Sequence, residues 1–274
     1  MRQKDDTIDV LAVSRALEMT ALAGPVLHLP VTESTNELAL RAAQQGARRG
    51  VWVADEQTAG RGRGGHNWHS TRGDGLYVSI LVTPELPMEQ ALWLSLATGL
   101  AAQEAILQAA SVRIDLRWPN DLLLRGRKVG GVLVESSVAK AVAGQSAMLR
   151  YAVLGVGINV HHAGFPADIA EIATSLHLEG AGHVSRQTLL VALLRAIDRE
   201  MDRLDREHAG LNEGPGILAR FDAASSWVRG KCVRVPENGG YTGVTAGLNS
   251  RGFLLVETDD GKRHTVLSGG VREM

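Results

Sequence analysis

A glycine-rich loop with two arginines is the strongest chemical signal in this chain. It reads Gly60-Arg61-Gly62-Arg63-Gly64-Gly65. Glycines let a backbone approach a ligand closely, and guanidinium groups donate paired hydrogen bonds to phosphate or carboxylate. The loop matches the G-x-G-x-x-G pattern of dinucleotide sites, but residues 66–70 predict more loop where such a site needs a helix. We expect a loop that folds over an anionic ligand; taken alone, an unstructured surface loop or an RNA contact fits the segment equally well.

A single lysine follows a Trp-Pro-Asn-Asp segment at residues 118–121. Lys128 opens the next predicted strand, with Gly130 and Gly131 beside it. The chain has only five lysines among its 29 basic residues, and the other four lie outside every motif. A lysine beside glycines supplies a compact positive charge at the mouth of a pocket, whereas an exposed lysine at a strand edge is the more usual case.

Two further polar segments lie at the ends of predicted elements. Ser34-Thr35-Asn36-Glu37 begins a helix, where S-x-x-E predicts a capping box, although a helix N-terminus can also bind a small polar ligand. Gly155-Val156-Gly157-Ile158-Asn159 ends a buried strand, where glycines favour close packing. The sequence has no Ser-His-Asp or Cys-His nucleophile pattern. The lone Cys232 excludes a disulfide within the chain and fits a reducing compartment.

The elements that must position these residues are of mixed type. The predicted strands are 26–31, 51–57, 76–82, 112–118, 122–124, 129–135 and 149–160, and the predicted helices are 34–45, 88–109, 185–206 and 214–228. From residue 231, short β runs between Gly-containing turns predict a small barrel of about 45 residues. Because the order is not a regular βαβ alternation, we expect an α+β fold with a mixed sheet and flanking helices.

Composition argues against several classes of protein. The formal net charge of −1 argues against binding nucleic acid by bulk electrostatics. No apolar run approaches the ~18 residues of a membrane span, and the N-terminus lacks the apolar region of a secretory signal. Residues 1–25 predict a weakly helical stub that is too short for a three-helix DNA-binding head. We expect a cytoplasmic protein without DNA or membrane partners.

Taken in order, the motifs resemble those of biotin protein ligases. The matching segments are Glu33-Ser34-Thr35-Asn36, Gln57-Thr58-Ala59-Gly60-Arg61-Gly62-Arg63, Arg117-Trp118-Pro119-Asn120-Asp121, Lys128-Val129-Gly130-Gly131 and Gly155-Val156-Gly157-Ile158-Asn159. The resemblance implies a catalytic domain at 26–229 related to class II aminoacyl-tRNA synthetases, preceded by the stub at 1–25 and followed by an SH3-like domain at 230–274. It also implies formation of biotinyl-5'-AMP from biotin and ATP, and then transfer of biotin to a lysine of an acceptor protein.

The resemblance assigns roles to individual residues. Biotin would be bound by Ser34, Thr35, Asn36, Gln57, Gly60, Arg61, Gly62, Arg63 and Lys128, the arginines lying in the loop that closes over it. Lys128 and Arg63 would be the catalytic groups, with Lys128 contacting the biotin carboxylate and the α-phosphate. The nucleotide would be bound by Arg63, Trp68, Asn120, Asp121, Lys128, Asn159 and Arg272, with Asp121 as a ligand of Mg²⁺.

The resemblance also implies an acceptor protein, and two other functions stay open as alternatives. The acceptor would be the biotin carboxyl carrier domain of acetyl-CoA carboxylase or of another biotin-dependent carboxylase, and a homodimer stays open. Gly64 and Arg117 stand where other residues are frequent in the family, which affects the details of phosphate contact. The absence of a winged-helix head predicts ligase activity without operator binding. A lipoate or octanoate ligase of the same superfamily is the nearest alternative, opposed by the Gly-Arg-Gly-Arg loop and the small β domain. A nucleic-acid-binding regulator would need a basic surface or a DNA-binding head, and neither is visible.

Overall fold

A computed structural model of the chain describes residues 6–139, 146–267 and 270–274. The strands of its larger sheet are β1 (Val26–Leu29), β2 (Gly50–Ala54), β3 (Gly75–Val82), β4 (Asp115–Arg117), β5 (Asp121–Leu124), β6 (Arg127–Val138) and β7 (Leu149–Asn159). They lie in the order β1-β2-β3-β7-β6-β5-β4. In this described sheet β1 and β2 pair in parallel and the other neighbours pair antiparallel, so the sheet is mixed.

Helices cover both faces of this sheet. They are α1 (Val10–Leu17), α2 (Thr35–Gln44), α3 (Ala91–Ala110), α4 (Arg186–His208) and α5 (Ile217–Ala224). α2 packs on one face, where Ala39 and Ala43 share a small core with Trp52. Val51 and Val53 point the opposite way along β2 and join the larger core under α3 and α4. Every residue of β3 is buried, which explains its nearly continuous apolar sequence.

A second, antiparallel sheet follows the last helix. It contains β8 (Arg229–Val235), β9 (Tyr241–Leu248), β10 (Leu254–Glu257), β11 (Arg263–Val266) and β12 (Arg272–Glu273), in the order β11-β10-β9-β8-β12. Its turn at residues 249–252 contacts the larger sheet, because the buried Trp118 donates from Nε1 to the carbonyl of Gly252 over 2.9 Å. The predicted α+β class, with a mixed sheet and a separate β unit, is confirmed.

Several predicted elements are shorter or longer in the structure. The predicted strand 112–118 is reduced to Asp115–Arg117, because α3 ends at Ser111 in a left-handed conformation (φ 56°) and residues 112–114 lead away from it. The predicted helix 214–228 is only Ile217–Ala224, since Ser225 is extended and donates from Oγ to the Leu116 carbonyl. β6 extends to Val138 because it pairs with β7 along that length. The two-residue strand β12 was not predicted.

The N-terminal segment is fastened to α4 by a buried arginine. Arg186 is 5% exposed, and its guanidinium contacts Asp6 (Nε to Oδ2, 3.1 Å) and Asp55 (Nη1 to Oδ1, 2.9 Å). His161 Nε2 lies 2.8 Å from the same Asp6 oxygen. α1 therefore packs as part of the larger core. In the described part of the chain, no helix has the length and apolar character to cross a membrane.

Candidate active site

A cleft opens between the N-terminus of α2, the loop after β2, and strands β3, β6 and β7. Ten of the fourteen predicted site residues line it, namely Ser34, Thr35, Asn36, Gln57, Arg61, Gly62, Arg63, Trp68, Asn120 and Lys128. The structure therefore brings together four motifs that are far apart in the sequence.

Gln57, and not Ser34, binds the first free N–H of α2. Gln57 Oε1 accepts from the Thr35 backbone N–H (2.9 Å) and from the Thr35 hydroxyl (3.1 Å), and its Nε2 donates to Ser70 Oγ (3.0 Å). Ser34 occupies the N-cap position but makes no side-chain capping bond. The capping-box interpretation is thus wrong at Ser34, whose buried side chain lines the cleft instead.

Asn36 is held by protein groups on both sides of its amide. Its Nδ2 donates to Glu135 Oε2 (2.9 Å), and its Oδ1 accepts from the hydroxyl of Ser79. A Cβ on Gly155 would collide with Asn36 Oδ1, so the glycine on β7 is what lets this amide lie against the sheet. Asn36 therefore shapes the cleft wall with its hydrogen-bonding groups already satisfied by the protein.

Lys128 reaches the cleft from the start of β6. The hairpin turn before it uses left-handed conformations at Arg125 (φ 50°) and Gly126 (φ 80°). Lys128 Nζ lies 2.5 Å from Asp121 Oδ1, and its side chain is 31% exposed. Arg117 donates to the other oxygen of Asp121 from Nε (3.0 Å) and Nη2 (2.5 Å). Burial alone would raise the pKa of Asp121, but the charges and hydrogen bonds of Lys128 and Arg117 outweigh it and hold that pKa below its ordinary value.

Arg63 supplies a second cation to the same end of the cleft. Its Nη1 donates to Asn120 Oδ1 (3.3 Å), and Asn120 Nδ2 donates to the Val132 carbonyl (2.8 Å). Burial lowers the pKa of Arg63, while the charge of Asp121 opposes that shift. Arginine nevertheless stays protonated in proteins, so Arg63 and Lys128 place two positive charges beside one another.

Trp68 lies against Gly131 of β6 and Gly157 of β7. Its ring centroid is 5.5 Å from Lys128 Nζ. A Cβ on Gly157 would lie 2.5 Å from Trp68 Nε1, and one on Gly131 would press on Lys128 Cε at 3.3 Å. The glycines at 131 and 157 thus make room for the two side chains that form the cationic and aromatic wall.

Four predicted site residues do not line the cleft. Gly60 packs against Gln57 and Ser70 at the base of the loop, and Asp121 lies behind Lys128. Asn159 is buried and donates to the Thr174 carbonyl (3.0 Å) at the end of β7. Arg272 is exposed on β12. The assignment of these four residues to biotin or to the nucleotide stays a prediction.

Asp121 does not fit the predicted role of a Mg²⁺ ligand in this arrangement. One carboxylate oxygen contacts Lys128 and the other contacts Arg117, so both compete with a metal ion for the same lone pairs. Among the described residues, no group of three or more His, Cys, Asp or Glu side chains is placed to hold a metal. Asp121 instead holds the cation that faces the cleft.

The sequence did not reveal Ser79, Ser70 and Glu135 as part of the site. Ser79 carries the strongest available signal, because it is the single polar residue in the otherwise apolar strand β3. Glu135 follows the Lys128 motif by only a few residues, but nothing in its spacing distinguishes it from an ordinary surface carboxylate.

The cleft thus has two chemically different ends. The end near Thr35 and Gln57 presents uncharged hydroxyl and amide groups, which suit an uncharged polar molecule. The end near Lys128 and Arg63 presents fixed positive charge, which suits carboxylate and phosphate groups. A molecule with a polar head and an anionic tail would span both ends.

Comparison with known families agrees with this layout. The model of the biotin/lipoate A/B protein ligase family matches residues 28–159, which contain the whole cleft lining. The model of the biotin protein ligase C-terminal domain matches residues 230–271, which cover the second sheet except for β12 and the first residue of β8.

Individual relatives are similar over most of their length. The biotin–[acetyl-CoA-carboxylase] ligase of Mycobacterium tuberculosis is 34% identical over 247 residues, covering 87% of this chain and 85% of the relative. The biotin protein ligase of Aquifex aeolicus, solved in complex with biotin and ATP, superposes with a TM-score of 0.73 at 28% identity, over 91% of this chain and 99% of that chain. The biotin protein ligase of Leishmania major, solved with biotinyl-5-AMP, gives a TM-score of 0.57 at 26% identity, over 89% and 99%.

Proposed function

This chain belongs to the family of biotin protein ligases, and we propose that its cleft binds the ring system of biotin at the uncharged end and the reacting carboxylate and phosphates at the cationic end. The chain is an ATP-dependent ligase that activates biotin and attaches it to a protein. The observation that carries the assignment of residues is the meeting of Lys128, Arg63 and the Thr35–Gln57 pair in one cleft.

In the first step, we assign Lys128 and Arg63 to charge stabilisation. A biotin carboxylate oxygen attacks the α-phosphorus of ATP, the bond to the β-phosphate oxygen breaks, and pyrophosphate leaves. Two anions must approach each other, and negative charge grows on the α-phosphate as they react. Fixed cations held by Asp121 and Asn120 offset this repulsion without having to reorganise during the reaction.

In the second step, the biotinyl group of the bound adenylate must pass only to the acceptor lysine. The acceptor lysine amine attacks the acyl carbon, AMP leaves, and the amine loses a proton as the amide forms. Water would hydrolyse the same mixed anhydride. We assign the loop with Arg61 and Arg63 to covering the intermediate, which excludes water until the acceptor arrives.

The acceptor is a biotin carboxyl carrier protein, as the family implies. We propose more narrowly that it is the carrier domain of an acetyl-CoA carboxylase, because the M. tuberculosis relative is named for that acceptor. Cytoplasmic location, a homodimer and the lack of DNA binding remain predictions.

One incubation tests the function directly. The protein is mixed with biotin, ATP, Mg²⁺ and a biotin carboxyl carrier domain, and the carrier is then analysed by mass spectrometry. We expect one added biotinyl group on one lysine. Stimulation of ATP–pyrophosphate exchange by lipoate in place of biotin would contradict the proposal.

A further inference from the structure

One carboxylate joins three distant parts of the chain at the edge of the cleft. Glu135 lies on β6, and its Oε2 accepts from Asn36 Nδ2 (2.9 Å) of α2 and from Arg61 Nη2 (3.0 Å) of the glycine-rich loop. Its Oε1 also lies 3.2 Å from Arg61 Nη2. Glu135 does not line the cleft itself, whereas both of its partners do. Its effect on a ligand must therefore pass through Asn36 and Arg61.

The glycine-rich loop at residues 60–65 needs a contact with the sheet, because its glycine backbone can adopt many conformations. Gly64 and Gly65 adopt left-handed conformations (φ 64° and 80°), which glycine reaches without strain. Three backbone hydrogen bonds close the loop on itself, from Gly62 N to His66 O, from His66 N to Arg63 O and from Trp68 N to Gly60 O. Within the described residues, two side chains connect residues 61–65 to the sheet: Arg63, which contacts the neutral Asn120, and Arg61, which contacts Glu135.

We propose that Glu135 is a positioning residue for the ligase reaction: it holds Arg61, and with it the loop, against the Asn36 side of the cleft while biotinyl-AMP is present. This rests on the proposed function, in which the loop covers the intermediate. The carboxylate suits the task because it accepts from both partners at once, so that closure of the loop and the position of the α2 N-terminus depend on the same group.

The size of the effect follows from the exposure of the ion pair. Arg61 and Glu135 side chains are 44% and 29% exposed, so solvent screens much of their attraction. Exposed pairs of this kind change an equilibrium by about 1.5- to 5-fold. Loss of the charge on Glu135 should therefore speed release of the intermediate by about two- to fivefold without unfolding the protein.

A double-mutant cycle tests the proposal. Glu135→Gln keeps the side-chain shape and one acceptor oxygen but removes the charge, and Arg61→Gln removes the other partner. Biotinyl-AMP is formed on each full-length variant, free ligand is removed, and release of the intermediate without acceptor is followed by chromatography. We expect E135Q to release it faster and to raise the KM for biotin more than it changes kcat. In the R61Q background, E135Q should have a smaller effect, limited to what passes through Asn36.

The controls separate this proposal from others. Glu104→Gln removes a comparably exposed ion pair with Arg199, far from the cleft, and should release the intermediate at the wild-type rate. Thermal unfolding checks that each variant is folded. Release from E135Q at the wild-type rate, or effects of E135Q and R61Q that multiply in the double variant, would overturn the role of Glu135. Failure of the wild-type protein to form biotinyl-AMP would instead overturn the proposed function.

Discussion

At the scale of single residues, the contacts of Lys128 suit the role we propose for its charge. Its ammonium group lies against Asp121, and Asp121 is held in turn by Arg117. An ammonium in an ion pair has no lone pair with which to attack an acyl group. The lysine can therefore stand beside a reactive anhydride and stabilise it without becoming acylated.

Replacing Lys128 with alanine tests this role. We expect a folded protein whose adenylate formation falls by about 10²-fold or more, the cost typical of removing one preorganised donor from a developing charge. ATP–pyrophosphate exchange measures the step, and thermal unfolding checks the fold. Lys262→Ala provides a control, because that lysine is exposed and its ammonium pairs with the nearby Asp260. Near-normal exchange in Lys128→Ala would show that another group carries the charge.

Arg63 belongs to the same scale, and we predict that, besides stabilising charge, it also acts on retention of the adenylate. Arg63→Gly removes the contact with Asn120 and a cation from the cleft, so we expect the adenylate to escape and to label lysines of unrelated proteins. Biotin incorporated into serum albumin, detected by streptavidin blotting, measures the escape. Arg72→Gly is a suitable comparison, since Arg72 is exposed and does not line the cleft. Equal labelling by the two variants would count against loop closure.

At the scale of elements, β7 shapes the cleft because two of its residues are glycines, which leave space for neighbouring side chains. Gly155 accommodates Asn36 and Gly157 accommodates Trp68. A strand with ordinary side chains at these positions would push the α2 N-terminus and the aromatic wall away from the sheet. The sequence predicts that Gly155 and Gly157 serve close packing. In the structure, the side chains that pack against them are Asn36 and Trp68 of the cleft.

Gly157→Ala should move Trp68 and raise the KM for ATP. The added methyl would lie 2.5 Å from the indole nitrogen, and the strand cannot retreat because β7 is paired on both sides. We expect a larger change in the KM for ATP than in that for biotin, measured by pyrophosphate exchange at varied substrate. Gly164→Ala is the matched control, because a Cβ there meets nothing within 4 Å. If both variants bind ATP alike, Trp68 does not contact the nucleotide.

The sequence predicts the elements best where burial is continuous. The apolar runs at 76–82 and 149–160 correspond to β3 and β7, since both strands are buried along almost their whole length. The predicted strand 129–135 ends before Ser136 and Ser137, which lack such a pattern and belong to β6 through pairing with β7. The same limit applies to the site. Glu135 and Asn36 are 99 residues apart, so their contact depends on the tertiary fold and leaves no local trace in the sequence.

At the scale of the whole molecule, the N-terminal segment contributes to stability through Asp6. Burial would raise the pKa of Asp6, but hydrogen bonds from His161 and the Arg186 backbone, with the charge of Arg186, outweigh it and lower that pKa below 3.8. A carboxyl with a lowered pKa stabilises the folded state above its ordinary pKa. That contribution is lost as the pH falls through the lowered value.

Asp6→Asn should therefore destabilise the protein in a pH-dependent way. We expect a loss of about 1–3 kcal/mol near neutral pH, typical of hydrogen bonds to charged groups, and a lower midpoint of thermal unfolding. The difference from wild type should begin to shrink near pH 3.8 and disappear only below the lowered pKa, where the folded wild-type carboxyl is protonated too. Circular dichroism at pH 7 and pH 3 measures both. Asp168→Asn, at an exposed position, should leave the midpoint unchanged at either pH.

The hydrogen bond from Trp118 to Gly252 ties the order of synthesis to the assembly of the cleft. The two residues are 134 positions apart, and Trp118 immediately precedes the Pro119-Asn120-Asp121 segment that supports Arg63 and Lys128. While a ribosome is still translating the codons before 252, the nascent catalytic sheet has an indole N–H without this acceptor. The segment behind Lys128 therefore gains this hydrogen bond only once the second sheet has been synthesised.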